Sequence, residues 1–447
     1  MQGWVHMSNA GVEDKLPFYI VLLLTLTILI IGESINKNFI LGIGLLCWAV
    51  IFFFSQTRGN IVFTIIKMLI FSIPLSFINI FGASYADLPI SWFNIFYVGL
   101  FIVFIISWLK NGNVYFNYLS IISVCFTGIS IFPLLVSYDL LDGLKQYINI
   151  TTSFLFITIG SHLKHNLRTS DKNVLAIDYI MAAKITAIGV LVQVFYVNVL
   201  DREIGKYEYL GHVRHAYGYL FNDYSFLALY LASGAVMVFF FNRTLGKSNI
   251  KMIFEMGLLI SASIMTSART GIAALVIVFC IFSFFIIYKF MLKGTVYAIL
   301  LIIFNLILIV FSYLMVMRVR GIDLLADSGR TQLNSRAFDV FLENPLIGIG
   351  FGADSYSSMV GVIPHNLFTQ FLAQGGAILT IPIILFILSV LWFAFRNDRV
   401  LFPVITCVFI GGLFIPDVFN SRFLAVLLLL LSLEKEYPQK QVNQNSF

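Results

Sequence analysis

From its amino end the chain runs as a succession of apolar stretches, each 14 to 30 residues long, divided by short polar breaks. About 20 consecutive apolar residues span the roughly 30 Å hydrocarbon core of a bilayer as a helix. The pattern predicts fourteen such spans, near 17–31, 39–55, 61–81, 92–109, 114–136, 146–161, 174–197, 217–241, 250–266, 270–288, 294–317, 366–395, 400–416 and 420–433. The sixth and fourteenth are the weakest, and a twelve-span count is the alternative. The expected fold is an all-α polytopic membrane protein, with residues 1–447 forming a single transmembrane domain. No segment outside the spans is long enough to build a core of its own.

Composition agrees. The chain is 60% hydrophobic and 11% charged, with a mean hydropathy of +0.94, against about 25% charged residues in soluble domains. The net charge of +6 sits largely in short loops and carries no nucleic-acid signature. Lys164/Arg168/Lys172, Arg243/Lys247/Lys251, Lys289/Lys293 and Arg396/Arg399 occupy alternate loops. Cytoplasmic loops of membrane proteins carry the excess of Lys and Arg. That rule puts both termini in the cytoplasm and segments 198–216 and 318–364 on the opposite, periplasmic side of a bacterial inner membrane. Cys47, Cys125, Cys280 and Cys407 are scattered through apolar runs without a CxxC pair and read as small core residues. Glu13-Asp14-Lys15 ahead of the first apolar run, and the lack of a clear small-residue cleavage site after it, argue against a cleaved leader.

One long segment breaks the apolar rule. Between 318 and 376 lie Arg318, Arg320, Arg330 and Arg336, then Asn344-Pro345-Leu346-Ile347-Gly348-Ile349-Gly350, then Pro364-His365-Asn366. Leu333, Ala337, Val340 and Phe341 recur at helical spacing. They predict an amphipathic helix over about 329–343, with Ser328 as its N-cap and Asn344-Pro345 as its end. Arg330 falls in the first turn, where a helix's free N–H groups and positive end can hold an anion. Arg336 can also pair with Asp339 at i+3. Arg318 and Arg320 flank a span end and suit interfacial anchoring. A helix opening at His365 and running to Phe395 exceeds the bilayer at 1.5 Å per residue, and Gly375-Gly376 and Pro382 are its natural break points. The positive helix end favours a neutral His365 imidazole, the state a general base needs before reaction.

Two further patches carry polar groups. Ser267-Ala268-Arg269-Thr270-Gly271 is a tight turn between apolar spans, where an arginine needs a partner or a watery cavity. Gly211 to Tyr224, entering the eighth span, holds Arg214, Tyr217 and Asn222, residue types that contact sugars or phosphates. Lys184 lies within the seventh span. It reads either as a functional intramembrane charge or as a side chain snorkelling toward Asp178.

In this order the patches resemble the O-antigen polymerase and O-antigen ligase superfamily. Ser267-Ala268-Arg269-Thr270-Gly271 is similar to its "SRG" turn. Arg330 with Asn344 to Gly350 is similar to its "R…NPLxGxG" loop, and His365-Asn366 ahead of Gly375-Gly376 to its "HN…G" motif. Arg214 to Asn222 resembles its "RxxGxFxNPN" segment, although Asp223-Tyr224 stands where Pro-Asn is expected and Asn334 where the loop helix has an aromatic residue. The resemblance covers about residues 210–395.

It implies a GT-C-like membrane glycosyltransferase that uses glycans on undecaprenyl diphosphate and needs no nucleotide-sugar site, metal or other cofactor. Arg269 and Arg330, helped by Arg214 or Arg336, would hold the diphosphate, and His365 would take the proton from the attacking sugar hydroxyl. Asn366, Tyr217 and Asn222 would bind substrate. The expected activity is that of an O-antigen polymerase joining lipid-linked repeat units with inversion, within the lipid bilayer. A chain-length regulator and a flippase of the same pathway would be its partners. The alternatives are an O-antigen ligase acting on lipid A-core and, in another class, a lipid-linked oligosaccharide flippase. The concentration of polar residues in one asymmetric loop disfavours the flippase, since transporters of that kind tend to show two similar halves.

Overall fold

A computed structural model describes residues 15–434 except 33, 35, 58, 81–89, 211–213, 246–247, 292–295, 297–298, 300–301, 304, 308, 311–312, 315–329, 358–360 and 362–364. Arg318, Arg320, Ser328 and Pro364 lie outside the described residues, and the eleventh expected span is described only in pieces.

Helices dominate. They are α1 (Leu16–Ile31), α2 (Lys37–Gln56), α3 (Ile61–Phe71), α4 (Trp92–Asn111), α5 (Tyr118–Ile129), α6 (Ile131–Leu135), α7 (Leu140–Leu163) and α8 (Thr169–Val199). After a two-stranded hairpin come α9 (Tyr224–Leu245), α10 (Asn249–Met265), α11 (Arg269–Met291), α12 (Arg330–Glu343), α13 (Ala353–Ser357), α14 (Leu367–Asn397), α15 (Leu401–Gly412) and α16 (Arg422–Ser432). By length and composition six described helices can cross a membrane: Asn38–Gln56, Trp92–Asn111, Tyr118–Leu135, Ser170–Val199, Tyr224–Thr244 and Leu367–Asn397. Leu16–Ile31, Ile61–Phe71, Arg269–Phe284, Leu401–Gly412 and Arg422–Ser432 are apolar but shorter, against the fourteen spans expected. Several outer faces stay apolar and exposed, as at Phe53, Ile106, Leu135 and Phe254, which suits a lipid solvent.

The core is aromatic where α5, α7, α14 and the stretch before α16 meet. The Phe126 and Phe154 rings stack at 4.3 Å, and Phe154 meets Phe386 edge-on at 4.5 Å and Phe419 at 5.3 Å. Such pairs add about 0.5–1.5 kcal/mol each beyond burial. Charges inside the bundle are paired. Lys67 of α3 meets Asp178 of α8 at 3.2 Å with both side chains buried. This corrects the expected course of Lys184, which bonds Glu255 of α10 at 2.8 Å. One turn and a half of helix separates residues 178 and 184, so each reaches a different neighbouring helix. At one end of the bundle Lys172 joins Asp398 and Glu434, tying the start of α8 to the ends of α14 and α16.

The all-α expectation needs a second correction. Residues of the expected 198–216 loop and of the entry to the eighth span form a hairpin, β1 (Lys206–Leu210) and β2 (Arg214–Tyr219), antiparallel with Tyr207 opposite Tyr217 and Tyr209 opposite His215. The run Lys-Tyr-Glu-Tyr-Leu alternates with period two, a strand pattern, and aromatic residues favour strands. Gln193 of α8 docks the hairpin: its amide donates to the carbonyls of Ile204 (2.6 Å) and Lys206 (3.0 Å) and accepts from the Tyr219 N–H (2.7 Å). The helix itself starts at Tyr224, where the Asp223 carboxylate caps the N–H groups of Ser225 and Phe226.

Candidate functional site

α14 is broken where the Gly pair predicted. Gly376 has φ +57 and ψ −156, and the segments on either side are helical, with Pro382 accommodated within the second. A break strands carbonyls before it and N–H groups after it, and each must be satisfied when buried. The Asn344–Gly350 loop supplies the partners. Ile349 and Gly350 donate to the carbonyls of Ala373 (3.0 Å) and Gln374 (2.9 Å), while Ala377 and Ile378 donate to the carbonyls of Pro345 (2.8 Å) and Leu346 (3.1 Å). The loop thus completes the backbone bonding of the broken helix. Its glycines are used for the approach: Gly348 has φ +72, and a Cβ there would stand 2.5 Å from the Ala373 carbonyl oxygen. A Cβ on Gly376 would stand 2.4 Å from Leu346 backbone.

This plug sets α12 against α14. Ala337 and Val340 bury against Ala373 and Tyr356, with Ile349 beside them, the face the helical spacing predicted. α12 runs from Arg330 to Glu343. Thr369 Oγ1 donates to Asn334 Oδ1 at 3.1 Å, so the first turns of α12 and α14 lie together. Asn334 therefore has a tertiary partner where an aromatic residue was expected. Arg336 is exposed on α12, and the expected ion pair with Asp339 is not formed among the described residues.

His365 is half-buried immediately before the cap of α14. The cap is Asn366, whose Oδ1 accepts from the N–H groups of Phe368 (2.9 Å) and Thr369 (3.3 Å) and whose Nδ2 donates to the Leu413 carbonyl (3.1 Å). Asn366 thus anchors this helix start to the end of α15. Arg269 opens α11 after Ser267, which adopts φ +60. The turn is tight because Gly271 presses on α9: a Cβ there would lie 2.3 Å from the Ala228 carbonyl oxygen, which also accepts from Ser263 Oγ at 3.1 Å. Gly411 of α15 is equally close to Leu229. The starts of α9, α11 and α14 and the end of α15 therefore gather at one end of the bundle, opposite the Lys172 cluster.

Arg214 opens β2, and Tyr217 lies buried in the same strand with its hydroxyl accepting from Asn198 Nδ2 at 2.8 Å. Asn222 is exposed just after the hairpin. The hairpin adds a polar cleft of about 300 Å³ between Asn198, Asp201, Arg202, Glu203, Tyr207 and His215, absent from the expectations.

A second unexpected group lies behind the plug. Gln146 of α7, Gln370 and Gln374 of α14 and Asp417 form one network. Gln146 Nε2 donates to Gln374 Oε1 (2.9 Å) and Asp417 Oδ1 (3.1 Å), and Gln374 Nε2 donates back to Gln146 Oε1 (3.1 Å). Gln370 Nε2 donates to Gln374 Oε1 (3.0 Å) and to Asp417 Oδ1, while Gln370 Oε1 accepts from the Asp417 N–H (2.7 Å). Gly352, just past the plug, donates its N–H to Gln146 Oε1 at 2.6 Å. Burial pushes the Asp417 carboxyl up to about 6, against the lowering effect of Gln370 and then Gln146. The signal in the sequence is the amides themselves: Gln370 and Gln374 sit at i and i+4 in an apolar helix, and polar groups at such positions are functional candidates. Arg422, opening α16, is a further arginine at this end, its guanidinium 4.6 Å from the Phe77 ring centroid.

Fold and site together define a multi-helix membrane protein whose polar groups collect where broken and capped helix ends meet at one end of the bundle. Residues 254–384 match the O-antigen ligase family, whose members are membrane glycosyltransferase-like enzymes. The matched stretch carries Arg269, α12, the plug, His365 and the break in α14, consistent with the O-antigen ligase and polymerase superfamily. The hairpin with Arg214, Tyr217 and Asn222 lies outside it. No curated protein matches the chain.

Proposed function

We propose that the protein is an O-antigen polymerase of the bacterial inner membrane. It would join undecaprenyl-diphosphate-linked oligosaccharide repeat units at the periplasmic face, with both termini in the cytoplasm. The observation that carries the reading is the plug: within the family-matched stretch, the loop after α12 completes the break in α14 and sets the helix start bearing Arg330 beside the one bearing His365.

Two helix N-termini and fixed guanidinium charges suit a diphosphate leaving group. Arg269 and Arg330 hold it and stabilise the charge as the anomeric C–O bond breaks, with Arg214 or Arg336 assisting. His365 takes the proton from the attacking sugar hydroxyl, whose oxygen forms the new bond with inversion at the anomeric carbon. Asn366 keeps the His365 helix start in place, and Asn222, exposed after the hairpin, faces the glycan. Tyr217, expected to bind substrate, is instead buried with its hydroxyl on Asn198 and holds the hairpin. A chain-length regulator and a flippase of the same pathway are the partners this role requires.

The description of the matched family favours ligase as a second reading, in which the acceptor is lipid A-core. Gene deletion separates the two. Loss of a polymerase leaves lipopolysaccharide capped with one repeat unit; loss of a ligase leaves bare core and periplasmic undecaprenyl-linked polymer. His365→Ala and Arg269→Ala should each abolish chain extension at normal membrane abundance. Normal chain lengths in either variant remove that residue from the mechanism.

A further inference from the structure

Asp417 is an unusual carboxylate for its surroundings. It follows Pro416 in the turn between α15 and α16 and adopts a left-handed backbone, φ +49 and ψ +34. Its Oδ1 is fixed by two glutamine amides from two different helices, and its own N–H is taken by Gln370. No ion pair to it forms among the described residues; the amides that hold it are neutral. Its Oδ2 accepts from no described residue and is not among the polar atoms sealed from solvent. A carboxylate set this deep without a cation costs stability unless hydrogen bonds offset it, and such groups cluster at functional sites. The place is also telling. Gln370 is one helical turn from Asn366, and Asn366 is bonded to Leu413 of the same α15–α16 turn. Asp417 is therefore held at the edge of the helix start that carries His365.

We propose that Asp417 is a glycan-binding residue, its free carboxylate oxygen accepting a hydrogen bond from a sugar hydroxyl of the lipid-linked oligosaccharide. The glutamine network sets the direction of that oxygen, and the plug, through Gly352 and Gln146, couples the network to the break in α14. This role rests on the reading of the protein as an enzyme of undecaprenyl-linked glycans and adds to it a residue that recognises the sugar rather than the diphosphate. At the Asp417 end of the elements packed about it, the charged or imidazole groups are Asp142 and Lys145 of α7, His365 before α14 and Arg422 opening α16, while His162 of α7 and Arg396 of α14 lie at the far ends of their helices. The hydroxyl-accepting form is the ionised one, so binding of the glycan should strengthen as pH rises through the range in which Asp417 loses its proton.

The test compares two probes on full-length protein in nanodiscs: undecaprenyl diphosphate alone, and the same lipid bearing the repeat unit extracted from the source cells. A charge-assisted hydrogen bond of about 1.5 kcal/mol corresponds to about tenfold in affinity. Asp417→Asn should weaken the glycan-bearing probe about tenfold and leave the bare lipid diphosphate unchanged. The parent protein should gain affinity for the glycan-bearing probe between pH 5 and pH 7.5, a range in which that probe's diphosphate, a diester, does not titrate; the measurement holds whether or not the variant folds. Equal loss of both probes in Asp417→Asn, no loss of either, or a parent whose affinity for the glycan-bearing probe is flat across that range overturns the assignment. A parent that binds neither probe sinks the enzymatic reading and this inference with it, whereas a parent that binds both while Asp417→Asn matches it sinks only this inference.

Discussion

The N–H of Ile349 donates to the carbonyl of Ala373 at 3.0 Å, across a break in the helix to which Ala373 belongs. With its three companion bonds, it gives the Asn344–Gly350 motif a physical role: the loop acts as a missing turn. The chemistry proposed for Arg330 and His365 depends on that arrangement, because the plug and the Thr369–Asn334 bond hold their two helix starts together.

Gly348→Ala and Gly376→Ala should both be severe. Each adds a Cβ at a positive φ and within 2.6 Å of backbone that has no room to move. Strain and overpacking of this kind amount to about 1–3 kcal/mol each, and the plug should separate from the break. Melting in detergent and chain-length analysis check this. A Gly376→Ala protein with parental melting and parental chain length would show that the plug does not matter.

Replacing Asn366 by Ala removes the cap of α14 and its tie to Leu413. Loss of a cap costs about 1 kcal/mol. Activity should fall further than stability, since the His365 helix start loosens. Asn366→Asp keeps the capping oxygen but loses the donor to Leu413, and it should fall between parent and Asn366→Ala in both assays. An Asp variant no better than the Ala variant would assign the effect to the Leu413 tie alone.

Lys67 and Asp178 offer a test of the bundle independent of function. Removing one partner of a buried ion pair costs about 3–5 kcal/mol, whereas replacing both with apolar residues is often close to neutral. Lys67→Met should therefore lower the melting temperature sharply, and Lys67→Met with Asp178→Leu should recover most of the loss. A double variant as unstable as the single one would count against the pairing.

Asp417 also makes a prediction about stability. Its carboxyl is raised to about 6 in the folded protein, from 3.8, so the folded state holds that proton more tightly than the unfolded one. The resulting increment is fully present below about pH 4 and is lost as pH rises through about 6. Asp417→Asn has no such proton. The melting temperature of the parent relative to this variant should decline between pH 4 and 6 and then level off. A constant difference across that range would mean the carboxyl titrates as an ordinary one.

Much of this was legible in the residues. Apolar runs marked the helices, the i, i+4, i+7 spacing marked α12 and its buried face, and Gly375-Gly376 marked the break, because these follow from local pattern and backbone chemistry. The hairpin was hidden by its short strands beside an apolar span. The partners of Lys184 and Asp178 could not be read, because a helix side chain chooses among neighbours that only packing supplies.

By itself, then, the sequence determined a membrane-type protein of many helices, the helix α12 and the break in α14, while the arginines and His365 it singled out are the basis of the proposed diphosphate chemistry. Only the tertiary structure decided that Asn344–Gly350 fills the gap in α14, that Asn366 ties two helices together, and that Gln146, Gln370, Gln374 and Asp417 form one network. The reason is the reach of the forces involved. Helix formation and breakage are settled within a few residues, but a buried hydrogen bond needs a partner that is distant in the chain, as Gln146 is from Asp417.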